Sequence, residues 1–300
     1  MGYVITGGAG YIGGHLVDRL VGANEVMAID DLSKGSYVNK ASNFVKADLR
    51  TDELDLPSGS QIVHLAADPD IKDSMSNVTE HFSRDVIATH RILEAARKAD
   101  AEMFLFASTS AVYGNAKIMP TPETAPLAPV SNYALFKKMS EDMVEYYCRN
   151  YGIKSAALRF ANVVGGRTGH GILYNFTQRI KQNLPLEIWG DGKQSKNYIY
   201  IDDLLSAIET AASKLGSDFA ALNVGSSGTT SVDEIVRLFR EQMKMEYGTV
   251  RIEAQAGDVR SMLLDTSKIK SLGWEPKLDS GEAARKAIED ILEANGIGSS

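Results

Sequence analysis

Tyr3-Val4-Ile5-Thr6-Gly7-Gly8-Ala9-Gly10-Tyr11-Ile12-Gly13 is the stretch whose reading decides the fold. A β-branched run passes directly into spaced glycines, and the glycines open onto the apolar periodicity of a helix. Strand, glycine turn and helix in that order make a loop whose free N–H groups and helix dipole suit a pyrophosphate. Gly7 serves the tight turn, Gly10 lets backbone approach phosphate, and Gly13 lets helix and strand pack closely. The spacing is GxxGxxG instead of GxGxxG. The next strand-like run ends at Asp30-Asp31, roughly twenty residues on, where a carboxylate accepts the ribose hydroxyls of a dinucleotide and repels a 2′-phosphate. NAD is therefore favoured over NADP.

Outward from this unit, short β-branched runs alternate with helical periods. Strands are expected at Tyr3 to Thr6, Glu25 to Ile29, Asn43 to Val45, Gln61 to Leu65, Met103 to Ala107 and Lys154 to Leu158. Helices are expected at His15 to Val21, Asp85 to Lys98 and Ser131 to Asn150. This is the pattern of an α/β, doubly wound parallel sheet of the Rossmann kind, with helices on both faces. After Arg159 the alternation loosens, with glycines from Gly165 to Gly171 and a turn at Gly190-Asp191-Gly192. We expect an NAD-binding domain over 1–160 and a smaller, mixed substrate lobe over 161–300. Segments near 198–226, with a helix at Ile201 to Ser213 and a strand at Ala221 to Val224, are expected to return to the first sheet.

Composition narrows the classes. The 300 residues are 44% hydrophobic and 24% charged, with a net charge of -7, which offers no basic face for nucleic acid or an anionic membrane. No run reaches the ~18 apolar residues of a membrane span, and Met1 leads straight into a strand without a signal-peptide pattern, so a cytoplasmic location is expected. Cys148 is the only cysteine and reads as a small buried hydrophobe. His15, His64, His81 and His90 show no spacing of metal ligands, so no metal is expected.

Chemistry concentrates in two places. Tyr133 and Lys137 lie four apart on one helical face, where an ammonium can stabilise a phenolate whose ordinary pKa of ~10 makes it a poor base. A second match, Tyr113 to Lys117, contains Gly114-Asn115 and runs into Pro120 and Pro122, so its backbone should turn and its pair should part. At the end of the fifth strand, Ser108, Thr109 and Ser110 offer three hydroxyls at the edge where doubly wound sheets bind ligands. Position alone does not choose among them.

TGGAGYIG, HLAA at His64 to Ala67, STSAVYG, the Tyr133-Lys137 pair and LRFANVVG from Leu158 to Gly165 together resemble the extended short-chain dehydrogenase/reductase family. Within it the chain is most similar to UDP-glucose (UDP-galactose) 4-epimerases, from residue 2 to about residue 290. The resemblance implies a catalytic set of Tyr133, Lys137 and Thr109. It implies NAD contacts from Gly7, Gly10, Tyr11, Ile12, Gly13, Asp30, Asp31, Ser33, Asp48, Leu49, Leu65, Ala66, Ala67, Ser108, Tyr133 and Lys137. Nucleotide-sugar contacts would come from Thr109, Ser110, Asn162, Gly171, Ile172, Lys196, Asp258 and Met262. The implied reaction oxidises the sugar at C4 and returns the hydride to the other face, without net consumption of NAD. A homodimer through the helices Asp85 to Lys98 and Ser131 to Asn150 is implied as well.

Neighbouring residues weigh against sister activities. Dehydratases of the family carry Asp-Glu after the catalytic Thr, where this chain has Ser110 and Ala111. UDP-glucuronate decarboxylases tend to carry Glu at the position of Ala111. Other departures bear on the sugar: Lys196 replaces a phosphate-binding Arg and loses its bidentate geometry. Gln255 replaces another Arg, with Arg251 or Arg260 as substitutes, and Asp85 stands where the family usually has Asn near the cofactor. Epimerisation of an acetamido or uronic nucleotide sugar is the runner-up reading. A non-enzymatic NAD-binding sensor is the reading from another class, and it would need neither Tyr133 nor Lys137.

Overall fold

The computed structural model describes residues 2–253 and 261–297. The chain opens with β1 (Gly2–Thr6), α1 (Tyr11–Leu20), β2 (Glu25–Asp30), β3 (Asn43–Lys46) and β4 (Gln61–His64). Two short helices follow, α2 (Ile71–Ser76) and α3 (Val78–Phe82), then a single π turn over Ser83–Ile87 and α4 (Ala88–Lys98). β5 (Met103–Thr109), α5 (Asn132–Tyr151) and β6 (Lys154–Phe160) complete the alternation. Beyond them come β7 (Asn162–Val164), α6 (Gly171–Lys181), β8 (Leu186–Trp189), β9 (Ser195–Lys196), β10 (Tyr198–Tyr200), α7 (Ile201–Lys214) and β11 (Ala220–Val224). The last elements are β12 (Thr230–Ser231), α8 (Val232–Met243), β13 (Thr249–Ile252), β14 (Ser261–Met262), α9 (Ser267–Lys270) and α10 (Ser280–Ala294).

Seven strands form the main sheet in the order β11-β6-β5-β4-β1-β2-β3, and β1 runs parallel to both β2 and β4. Strand order therefore reverses at β1, and the carboxyl ends of β1 and β4 flank the crevice where such sheets take ligands. The strands are buried on both faces: Val4, Ile62 and Phe104 pack with Ile92, Leu93 and Val144 of the helices in one cluster. That is why they read as apolar runs and not as alternating ones.

Observed elements match the expected ones within a few residues at the ends: α1 starts four residues earlier, at Tyr11, and ends one short at Leu20, and β4 stops one short at His64. The expected helix from Asp85 is interrupted at its start, where the π turn adds a residue to one helical turn and carries Asp85. β5 and β6 run two residues further than expected, to Thr109 and Phe160. α5 is fixed at both ends by local chemistry. The Ser131 side chain accepts a hydrogen bond from the Ala134 N–H, and Gly152 closes the helix at φ 73°, a left-handed cap that glycine adopts without a Cβ penalty.

The chain divides into two compact units, one of 1–114, 126–160 and 207–222, the other of 115–125, 161–206 and 223–300. Residues 115–125 were expected with the first domain and fall in the second unit, because Thr121 donates to Leu263 O at 2.7 Å and accepts from the Asp265 N–H at 2.9 Å. Residues 198–206 do likewise: the Trp274 indole donates to Asp203 O and to Ser206 Oγ. The second unit holds small sheets only, β7 with β10, β8 with β13, and β9 between β12 and β14. Among the described residues no helix is long and apolar enough to cross a membrane.

Candidate active site

The glycine loop follows β1 within the first unit. Gly7 stands at φ +68°, and a Cβ on it would lie 2.8 Å from Ala66 N. A Cβ on Gly13 would lie 2.0 Å from Gly7 O, whereas one on Gly10 would meet nothing nearer than 3.2 Å. Gly13 is thus compelled by packing, and Gly10 leaves room on the ligand side. Gly13→Ala is expected to lower NAD affinity at least about tenfold, about 1.4 kcal/mol, by forcing the loop off its seat. Binding titration checks this, and unchanged affinity would show that the contact yields freely.

Asp30 ends β2 beside that loop. One carboxylate oxygen accepts from the Ala9 N–H at 3.0 Å and the other from the Leu32 N–H at 2.8 Å. A carboxylate has about four acceptor sites, so capacity for ribose hydroxyls remains while the side chain braces the turn. Asp31 accepts from the Ser33 N–H at 2.8 Å. Leu65, Ala66 and Ala67 follow β4, and the Ala66 N–H reaches Thr6 Oγ1 at 3.3 Å. Tyr11 sets its ring edge-on to His15, and Ile12 follows it in the first turn of α1.

Three residues expected at the cofactor, Asp48, Leu49 and Ser108, also make contacts within the protein. Asp48 grips Arg50 at 2.7 Å, and Arg50 also holds Glu80; this pairing holds the Asp48 carboxylate below the usual range, chiefly through the Arg50 hydrogen bond. Leu49 is a core residue. Ser108 is 3% exposed and donates its hydroxyl to Glu141, so it supports the site from below.

The strand-end hydroxyls are thereby sorted. Ser108 points into the interior, Thr109 stands near enough to the Tyr133 phenol to favour its ionised form, and Ser110 begins a short 3-10 turn. Ser74 holds the start of α5 by accepting from the Tyr133 N–H at 3.2 Å. Lys137, 3% exposed, donates to Ala107 O at 2.9 Å and lies 4.8 Å over the Phe106 ring. Tyr133 is half-buried, and burial raises its pKa first, the Asp85 charge raises it further, and Thr109 lowers it. Burial pulls Lys137 down, while Asp85 and Glu141 push it up. In this geometry the ammonium is directed to the strand end and the phenol to Thr109. The competing Tyr113 to Lys117 pair parts as expected: Gly114 stands at φ 59°, Tyr113 is buried and Lys117 exposed.

Beneath these side chains runs a buried network that sequence reasoning missed. Arg159 pairs with Glu141 at 2.7 Å, with side chains 6% and 4% exposed, and donates to the Tyr113 hydroxyl at 2.9 Å. Glu141 is the next step, four residues on, along the face of Tyr133 and Lys137, and Arg159 interrupts an apolar strand. Both were legible signals. His64 joins Thr6 and Thr89 through its two ring nitrogens, and burial brings its pKa down to about 3, so it stays neutral.

Asp68, Asp73 and His81 bring one ligating atom each within 4.8 Å of one another. This corrects the sequence reading, which found no clustering at His81 because the carboxylates are distant in the chain. Lys34 and Arg84 each reach Asp68 Oδ2 at 3.5 Å, so the chain's own cations already answer that charge, and the group is an ion-pair cluster.

Of the expected sugar contacts, Thr109 and Ser110 belong to the first unit, and Asn162, Gly171, Ile172, Lys196 and Met262 to the second. Lys196 on β9 is directly paired with Met262 on β14, and Asn162 on β7 is paired with Tyr198 on β10 and donates its N–H to Asn197 O at 3.0 Å. Met262 is 5% exposed, and its sulfur accepts from Thr121. Gly171 and Ile172 open α6, with Gly171 at φ +83°. Asp258, Gln255 and Arg260 lie outside the described residues.

A family model described as the NAD dependent epimerase/dehydratase family matches residues 3–225. The chain belongs to that family. As a member it is an NAD-dependent enzyme, and the loop that admits Cβ atoms at neither Gly7 nor Gly13, with Asp30 beside it, fits that cofactor. The chain is 30% identical to the UDP-glucose 4-epimerase of Mycolicibacterium smegmatis, over 95% of this chain and 97% of that one. A crystal structure of a UDP-galactose 4-epimerase is 36% identical and superposes with a TM-score of 0.87, covering 98% of this chain and 99% of the other. The UDP-N-acetylglucosamine 4-epimerase of Methanobrevibacter ruminantium, solved with UDP-N-acetylmuramic acid, is 26% identical at a TM-score of 0.91, covering 98% of both chains.

Proposed function

We propose that this NAD-dependent nucleotide-sugar 4-epimerase interconverts UDP-glucose and UDP-galactose. The observation that carries the chemistry is Thr109 at the carboxyl end of β5, near enough to favour the ionised Tyr133 phenol, with Tyr133 and Lys137 one turn apart on α5. Tyr133 takes the proton from the sugar 4-hydroxyl and later returns it. Thr109 holds that oxygen, and Lys137 supplies the positive charge that lets the phenol ionise. Bound NAD would supply a reversible hydride acceptor for C4. The 4-keto sugar presents its other face before the hydride returns, which inverts the centre.

Incubation with UDP-galactose and no added reductant, followed by chromatography, tests this reading. UDP-glucose is the expected product. No conversion, with or without added NAD, would exclude UDP-hexoses and leave acetamido or uronic sugars. That second reading is supported by the likeness to the UDP-N-acetylglucosamine 4-epimerase of Methanobrevibacter ruminantium. The presence of both Tyr133 and Lys137 weighs against a sensor without turnover.

The same proposal includes a homodimer through α4 and α5, where Tyr146 and Tyr151 stand exposed. Sedimentation at the mass of one chain would remove that part.

A further inference from the structure

Of the residues of α2, Ser74 alone is buried, at 0% exposure, while Ile71 and Met75 on the same helix stand exposed. A surface helix ordinarily docks through an apolar face; this one docks through a hydroxyl. Ser74 Oγ donates to Ile71 O at 2.6 Å and accepts from the Tyr133 N–H at 3.2 Å. The Ser74 backbone carbonyl accepts from the Asn132 carboxamide at 2.9 Å. Two consecutive residues in the first turn of α5 are therefore tied to one residue of α2.

The first N–H groups of a helix have no partner within it, and the cap of α5 itself, Ser131, takes the Ala134 N–H. The Tyr133 N–H is completed instead by a residue 59 positions away in the chain. α2 is in turn fixed to the segment that follows β4. Its cap Asp70 accepts from the Asp73 N–H at 2.9 Å, the Asp70 N–H reaches Asp68 Oδ1 at 3.3 Å, and the Asp68 N–H reaches Asp85 Oδ1 at 3.1 Å. Further along α5, Lys137 is held on Ala107 O of β5. α5 is thus pinned at two points one turn apart, one reached from β4 and the other from β5.

We propose that Ser74 is a positioning residue for the epimerisation, which by holding the Tyr133 amide fixes where the phenol stands relative to Thr109 and the sugar. A base must lie within hydrogen-bond reach of the proton it takes, and a displacement of about 1 Å costs up to about a hundredfold in rate. With the tie cut, the first turn of α5 frays while Lys137 keeps the next turn in place, so the displacement falls on Tyr133.

The inference rests on Tyr133 as the base and on no particular sugar. The test uses NAD-loaded Ser74→Ala with UDP-galactose or, should the wild type leave that unconverted, with an acetamido or uronic counterpart that it converts. Ser131→Ala is the comparison, because it removes a cap from the same helix end and leaves the Tyr133 amide held. Ser74→Ala should lower kcat about tenfold to a hundredfold, with KM and the NAD dissociation constant within about twofold of wild type. Ser131→Ala, at a comparable loss of melting temperature, should lower kcat less than about threefold.

Unchanged kcat in Ser74→Ala, a loss carried by KM, or an equal loss of kcat in the two variants overturns the proposal and leaves Ser74 a helix cap. Should Ser74→Ala fail to fold, Asn132→Ala decides, because it cuts the second tie from the α5 side and strands no buried donor. Its kcat should fall at least about threefold with KM in place, and an unchanged kcat overturns the proposal. Tyr133→Phe, measured alongside, keeps the two readings apart. Retained turnover in Tyr133→Phe removes the base and the positioning together, whereas an inactive Tyr133→Phe beside a fully active Ser74→Ala removes the positioning alone.

Discussion

Tyr133→Phe is expected to lower kcat by a factor of about 10² to 10⁴, the span a positioned acid or base contributes, while NAD binding and the melting temperature stay near their wild-type values. Phenylalanine fills the space of the ring. The Thr109 hydroxyl loses the phenol but still accepts from the Ala111 N–H at 3.2 Å. Steady-state rates with the converted sugar nucleotide, alongside a thermal melt, separate chemistry from folding. A variant that keeps more than about a tenth of wild-type turnover would remove Tyr133 from the proton path.

The second large effect belongs to stability. Glu141→Leu should destabilise the fold by roughly 3–5 kcal/mol, because it strands the Arg159 guanidinium in an environment that excludes water. Ser108 and Tyr113, which meet the same pair, would lose their anchor, and β5 would loosen where Thr109 ends it. Replacing both members, Glu141→Leu with Arg159→Met, should recover much of the loss, since two apolar side chains bury no unpaired charge. Denaturant midpoints for the two variants give the comparison. A single substitution as mild as the double one would mean that water reaches the pair.

Local rules carried most of the scaffold. Gly7, Gly10 and Gly13 act through backbone geometry, which a short stretch of sequence encodes fully, and the apolar runs of the sheet announce their burial directly. Asp30 was legible because the distance along the chain from loop to strand end is fixed by the βαβ unit. What failed to show were relations made by folding alone. Ser108, Thr109 and Ser110 are indistinguishable in sequence, and only the alternation of β5 turns Ser108 inward to Glu141 and leaves Thr109 to Tyr133. The Thr121 segment reads as a loop of the first domain until its hydrogen bonds to Leu263 and Asp265 are seen. Asp68, Asp73 and His81 meet because α2 and α3 fold back on the end of β4.

The double duty of Asp30 limits how this enzyme could be redesigned. Because both its oxygens already tie down the Ala9 and Leu32 amides, exchanging it to admit a 2′-phosphorylated cofactor would dismantle the turn that receives the pyrophosphate. Engineering toward NADP would do better to keep that carboxylate and introduce a guanidinium at the exposed Ser33, accepting a compromise between charge repulsion and loop integrity.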